Sequence, residues 1–306
     1  MVEPFCMYFN LVLICMLVWQ CEGGEEVLAG FHPSVDDLKA ADIALIQFDT
    51  RPLANYWNAS AHWNKLYSLY HGHKYMYMSM RKKPCMCGGY KVAPAWCKVR
   101  AMTIAHKLMP RAKAFLYIDS DAVVTSNYSL ADIVGFMRKD LSWDVHERPV
   151  AFNQDGPGWS CRFTMELGYD YCLNSGTVFW LNVPRARAII DEWWDSCTDS
   201  YETSKFPSRW RNRWPWEQAQ MYKVYDAHRD EMQRLSFPNN SFLPWTSKSK
   251  PKSQYPTDAV DPWCFSHWPG ANCFITHHCA SANQKKRMME MYQVHQPIKL
   301  PTIYID

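Results

Sequence analysis

The stretch Phe115-Leu116-Tyr117-Ile118-Asp119-Ser120-Asp121-Ala122-Val123-Val124-Thr125 constrains the fold more than any other part of the chain. Four apolar or aromatic residues run into two carboxylates one residue apart, and a second apolar pair follows, the pattern of a buried strand ending at a charged edge. In an extended segment residues i and i+2 point the same way, so Asp119 and Asp121 are expected to face one divalent metal with hard oxygen ligands. No Lys or Arg stands within several residues to neutralise them. A metal at the carboxyl end of a parallel strand lies where open α/β sheets bind ligands. The same D-x-D can also simply terminate a strand and cap the next turn.

Upstream, Asp42 to Phe48 is an apolar run closed by Asp49, a first buried strand. Between Ser60 and Tyr70 the residues Trp63, Leu66, Tyr67 and Tyr70 follow amphipathic-helix spacing, and Gly72 can end that helix. Tyr75 to Met78 reads as a second strand, Pro84 to Gly89 as a cysteine-bearing loop, and Ala95 to Met109 as a helix stopped by Pro110. Strand, helix, strand, helix, strand is the alternation of a Rossmann-like nucleotide-binding half in an α/β fold, with a central mostly parallel sheet flanked by helices. Downstream, a helix is expected over Ser129 to Met137 and a strand at Val150 to Phe152. A Gly- and Pro-containing loop should follow from Asn153 to Trp159, then a turn at Asn174-Ser175-Gly176 feeding a strand to Leu181. Helices are expected at Ala186 to Trp194 behind Pro184, at Trp216 to Tyr225 and around Gln284 to Tyr292. An irregular excursion should span Pro244 to Pro262, and a Pro-bounded tail should close the chain.

From Phe5 to Trp19 the only polar residue is Asn10, and small or polar residues follow at Gln20 to Gly24. Residues 1–23 therefore read as a signal peptide or signal anchor, with 24–306 as a single domain whose nucleotide-binding half covers about 40–125 and is followed by a second half at about 126–280 and a tail. No Lys or Arg precedes Lys39, so the basic flank typical of either segment is missing. Sequons at Asn58, Asn127 and Asn239 agree with a secretory chain. So do the nine cysteines beyond Cys21, namely Cys85, Cys87, Cys97, Cys161, Cys172, Cys197, Cys264, Cys273 and Cys279, most of which should pair in an oxidising lumen. The expected location is the Golgi lumen, with secretion as the alternative and a membrane tether through the N-terminal segment. A net charge of +3 with scattered basic residues implies no nucleic acid polymer as partner. With 48% hydrophobic residues and 15% aromatics, there is ample material for a packed core.

The order of these pieces resembles the GT-A glycosyltransferases of the galactosyltransferase family that includes fungal mannan galactosyltransferases and plant xyloglucan xylosyltransferases (glycosyltransferase family 34). The matching residues are Trp96-Cys97-Lys98, Ile118-Asp119-Ser120-Asp121-Ala122, Leu173-Asn174-Ser175-Gly176, Glu217-Gln218 and Phe265-Ser266-His267-Trp268-Pro269-Gly270. They span roughly Ala44 to Cys273. The resemblance implies retaining transfer of a hexosyl or pentosyl unit from a nucleoside-diphosphate sugar to a glycan or glycoconjugate acceptor. It implies Mn²⁺, or Mg²⁺, bridging Asp119, Asp121 and the two phosphates, with His267 as a nitrogen ligand. Lys98 is expected either to pair with a donor phosphate or to be a solvated helix residue. Ser120, Asn174, Ser175 and Gly176 are placed with the donor-binding residues, although Asn174 to Gly176 can also be a tight turn. Gln218 is expected beside the anomeric carbon. Glu217 should hydrogen-bond donor or acceptor hydroxyls, or cap its helix. With no nucleophile in view, the leaving phosphate is expected to take the acceptor proton on the front face.

Two other classes compete. A strand ending in D-x-D also opens haloacid-dehalogenase phosphatases, but their later Gly-Asp metal motif is missing from the chain. A disulfide-bonded carbohydrate-binding protein without catalysis would use the aromatics alone.

Overall fold

In a computed structural model, the described residues are 38–51, 56–80, 85–125, 128–140, 142–155, 168–169, 171–198, 211–212, 216–235, 261–266, 273–277 and 301–305. The chain divides into two compact units, Met1–Ser34 and Val35–Asp306, and every described element lies in the second. The N-terminal apolar segment, the 284–292 helix, His267 and the sequons at Asn127 and Asn239 lie outside the described residues. No helix among the described residues is long and apolar enough to cross a membrane.

The elements follow in the order β1 (Ile43–Asp49), α1 (Tyr56–His71), β2 (Lys74–Met80), β3 (Cys85–Cys87), β4 (Tyr90–Val92), α2 (Trp96–Leu108), β5 (Ala114–Asp119) and β6 (Ala122–Val124). Then come α3 (Leu130–Asp140), β7 (Val150–Asp155), β8 (Cys172–Leu181), α4 (Pro184–Asp195), α5 (Trp216–Ala227), β9 (Met232–Leu235), β10 (Asp261–Ser266), β11 (Cys273–His277) and β12 (Thr302–Ile305). Seven strands form one sheet in the order β12-β2-β1-β5-β8-β7-β9. Six run the same way and β8 runs against them.

Alternation along each strand splits the apolar residues between two faces. Ala44, Ile46, Phe48, Phe115 and Tyr117 pack with residues of α2, α4 and α5, including Trp96, Trp193 and Tyr222. Ile43, Leu45, Leu116 and Ile118 pack on the other side with Leu130, Ile133 and Val134 of α3 and with Tyr67 of α1. Burial on both faces is why these strands read as unbroken apolar runs.

Several expectations change. From Cys85 on, the expected loop is the start of a hairpin, β3–β4, in which Cys85 and Cys87 form disulfides with Cys97 and Cys197. Asn153 is not the start of a loop, because β7 runs on to Asp155. The last residues before the end form β12, a parallel neighbour of β2. Helix α1 turns a different face inward from the one its aromatic spacing suggested. It buries Trp57, Ser60, Ala61, Asn64, Tyr67 and Ser68 and leaves Leu66, Leu69 and Tyr70 exposed. Small and polar side chains face in because they pack against open backbone carbonyls rather than a purely apolar surface.

Candidate active site

Strand β5 stops at Asp119. Ser120 and Asp121 form a turn, and β6 then leaves the main sheet to pair with β11. The two carboxylates are therefore held by a turn and not by the simple alternation of an extended strand. The turn is gripped from beneath. Gln47, in the middle of β1, sends its Nε2 to the Asp119 carbonyl at 3.1 Å and to the Ala122 carbonyl at 3.3 Å. The Ala122 carbonyl also accepts from Ser60 Oγ at 2.7 Å and Asn64 Nδ2 at 2.9 Å, while Asn64 Oδ1 takes the Val124 N–H at 2.8 Å.

Asp119 is not uncompensated, although no cation is near it in sequence. Lys98, from the first turn of α2, places Nζ 3.2 Å from Asp119 Oδ1 and 2.9 Å from Glu217 Oε1. Burial alone would lower the Lys98 pKa, but the two carboxylates outweigh it and hold the ammonium above the ordinary lysine range. The Tyr117 hydroxyl donates to Asp119 Oδ1 at 3.0 Å. Burial and the Asp119 charge push its pKa well up, so the proton stays on.

Across from Asp119 lies the amino end of β8. Its pairing with β7 jumps from Phe152–Val178 to Asn153–Asn174, leaving Ser175, Gly176 and Thr177 in the irregularity. The Asn-Ser-Gly segment thus lies inside a strand, as a distortion of it, and does not precede it as a turn. Ser175 Oγ donates to Glu217 Oε1 at 2.8 Å, and the Gly176 N–H donates to Asn174 Oδ1 at 2.6 Å. A Cβ on Gly176 would come within 2.8 Å of both Asp119 Oδ2 and Asn174 Oδ1, so glycine is what lets the two strands share this space.

Glu217, at the start of α5, is 2% exposed. Its carbonyl accepts from the Trp193 indole at 2.9 Å, and its Oε2 has no hydrogen-bond partner. Beside it, Gln218 donates to the Leu173 carbonyl at 2.7 Å. Ser120 Oγ turns away from the carboxylates and donates to Asp49 Oδ2. Arg51 holds both oxygens of Asp49, at 2.8 and 2.6 Å, and stacks on Trp57 with its guanidinium 3.0 Å from the ring centre.

Asp119, Lys98, Asn174, Ser175, Gly176 and Glu217 thus meet, Gln218 flanks them, and Ser120 faces Asp49. Asp121 is partly exposed on the turn. β10 ends at Ser266, level with Thr276, which pairs with Val123, so the small sheet carries the chain ahead of position 267 to the Asp121 end of β6. Sequence reasoning missed Gln47, Ser60, Asn64, Tyr75, Asp49 and Arg51. A polar Gln47 inside an apolar run and a Ser60-Asn64-Ser68 stripe at i, i+4, i+8 were the available signals.

The donor set suits a hard divalent cation. Asp119 and Asp121 offer carboxylate oxygens, and the missing Cβ at Gly176 leaves Asp119 Oδ2 unobstructed by a side chain from β8. Among the described residues no group of three His, Cys, Asp or Glu side chains is placed to hold an ion.

A mostly parallel sheet flanked by helices, with carboxylates at the carboxyl end of β5, is the GT-A arrangement of glycosyltransferases. The fold matches that of a glycosyltransferase involved in the glycosylation of the major capsid of PBCV-1, with a TM-score of 0.53 and 16% identity over 80% of this chain and 98% of that one. The galactosyltransferase LgtC, crystallised with donor and acceptor sugar analogs, aligns with a TM-score of 0.45 and 11% identity over 85% of this chain and 97% of that one. A search of curated proteins finds no match. Residues 45–257 match the galactosyl transferase GMA12/MNN10 family, and the chain belongs to that family. It is a glycosyltransferase.

Proposed function

We propose that the chain moves a hexosyl or pentosyl unit from a nucleoside-diphosphate sugar to a glycan or glycoconjugate acceptor, with retention of configuration and with Mn²⁺ or Mg²⁺ as cofactor. The observation that carries this reading is the meeting of Asp119, Lys98, Ser175 and Glu217 at the carboxyl edge of the sheet, where open α/β folds bind their ligands. Asp119, Asp121 and, by the family resemblance, His267 would hold the metal, which supplies positive charge to the leaving diphosphate. Lys98 ties Asp119 to Glu217 through an ion pair with each. Gly176 and Asn174 stand beside Asp119, where this reading puts the donor sugar, and Gln218 stands next to them.

Glu217 is the one buried carboxylate facing this group from α5. Its Oε1 is held by Lys98 and Ser175 while Oε2 has no hydrogen-bond partner among the described residues, and with the carboxylate anchored in this way we read the transfer as front-face, the leaving phosphate taking the acceptor proton. The two disulfides suit an oxidising lumen, and we place the protein in the secretory pathway, in the Golgi lumen, tethered or released through residues 1–23.

Donor hydrolysis with a panel of nucleotide sugars and Mn²⁺ tests the reading. Turnover should be lost with EDTA and with Asp121→Ala. Carbohydrate binding without metal and without turnover would support the non-catalytic reading instead. A glycosyl–enzyme adduct found by mass spectrometry would overturn the front-face mechanism.

A further inference from the structure

Beneath the Asp119-Ser120-Asp121 turn lies a closed polar network that none of the reacting groups explains. Gln47, Ser60 and Asn64 are fully buried, and each reaches backbone of the turn or of the strand that leaves it. Gln47 is oriented from behind, since the Tyr75 hydroxyl donates to its Oε1 at 2.8 Å and so commits Nε2 to the turn. Burial pushes the Tyr75 pKa well up, so that donor stays protonated. Nε2 also donates to Ser60 Oγ at 3.1 Å, and the Ser60 hydroxyl in turn donates a hydrogen bond to the Ala122 carbonyl. Both flanks of the turn, the Asp119 carbonyl and the Ala122 carbonyl, are thereby fixed by side chains from β1 and α1.

A buried polar network of this size is an expensive way to fill space, because an apolar core of the same shape would need no partners. Backbone carbonyls at a turn leaving a sheet do need donors, but water at an open edge would also serve them. Rigid donors add something water cannot: a single orientation for the peptides that carry the two carboxylates.

We propose that Gln47 and Asn64 are positioning residues that set the separation and aim of Asp119 and Asp121, and so the affinity of the turn for a divalent cation. This rests on the reading of those carboxylates as metal ligands. Partners that orient ligands from behind are worth roughly 10- to 100-fold in metal affinity where they have been removed.

The test measures Mn²⁺ binding by loss of the free-ion EPR signal, alongside the thermal midpoint, on the whole chain. Asn64→Asp keeps the acceptor for Val124 and removes the donor to Ala122, and Gln47→Met keeps length and removes every donor. Both should weaken Mn²⁺ binding about tenfold or more. Tyr75→Phe removes only the hydroxyl that orients Gln47 and should weaken binding to a smaller degree. It decides the matter if either buried variant fails to fold. Ser68→Ala is the control. Its hydroxyl is equally buried, one helical turn away, and donates to the Asn64 carbonyl at 2.8 Å without touching the turn, so it should lower the midpoint and leave Mn²⁺ affinity unchanged. Mn²⁺ affinities within twofold of the unaltered chain in all folded variants would overturn the positioning role alone. No Mn²⁺ binding by the unaltered chain would overturn both that role and the metal reading beneath it.

Discussion

Lys98 stands between two carboxylates that come from opposite halves of the chain, and the pairing makes it more than a phosphate contact. Removing one partner of a buried charge group leaves the others uncompensated, which costs about 3–5 kcal/mol. Lys98→Met should therefore lower the unfolding free energy by about that amount in urea titrations. Adding Glu217→Gln should restore part of the stability, while transfer stays lost in both variants. The residues of this cluster were legible one by one, as D-x-D, Asn-Ser-Gly and Glu-Gln. Their mutual contacts were not. Lys98 lies twenty-one residues from Asp119 and meets it only because α2 packs across β5. Nothing local in either segment encodes that distance.

At the level of single elements, helix α3 shows how a side chain outside the helix can hold its start. His73 Nε2 accepts the Leu130 N–H at 2.9 Å while Nδ1 faces the Ala40 carbonyl at 2.8 Å, so the ring must be neutral with its proton on Nδ1. Burial lowers its pKa below 6.5, the Ala40 carbonyl pulls it back up, His71 lowers it and Asp132 raises it; the Tyr67 ring packs alongside. Because the unfolded chain takes the proton first, this contribution to stability is present above about pH 6.5 and declines as pH falls below that value. The thermal midpoint should drop between pH 7.5 and 5, and His73→Gln should flatten the drop.

Most elements were readable from sequence because their signals are local. Continuous apolar runs marked β1, β2 and β5, and Pro110 and Gly72, the latter at φ +76°, marked the ends of helices. Where reading failed, a partner decided the outcome. Helix α1 buries Ser60, Asn64 and Ser68 beside Trp57 and Tyr67 and leaves Leu66 and Tyr70 outside, since the Ala122 carbonyl beyond the D-S-D turn takes polar partners from the helix. Asn174 to Gly176 has the composition of a turn and lies in a strand, with Thr177 paired to Ile118 just after it, Asn174 paired to Asn153, and the register distorted in between.

For the molecule as a whole, the hairpin β3–β4 acts as a brace. Its disulfide to Cys97 ties it to the residue before Lys98, and its disulfide to Cys197 ties it to the end of α4, whose Trp193 holds the Glu217 carbonyl. Loop-closure entropy gives about 3 kcal/mol for a cross-link spanning 12 residues and about 5 for one spanning 110. Paired Cys→Ser replacement at 87 and 197 should therefore lower stability in urea more than the same replacement at 85 and 97. Both should reduce transfer through loss of the Lys98–Glu217 alignment.

The edge strand β12 lies beside β2, with Ile305 opposite Met80, although almost the whole described sequence separates them. On the ribosome, β2 emerges early with one flank unclaimed, and the strand that covers it is made long afterwards. Until then an unpaired strand edge of Met, Tyr and Ser is open to any extended segment that drifts past. The sheet can close only once residues 302–305 have left the ribosome, and a nascent chain stalled short of residue 302 is the form most exposed to mispairing and aggregation.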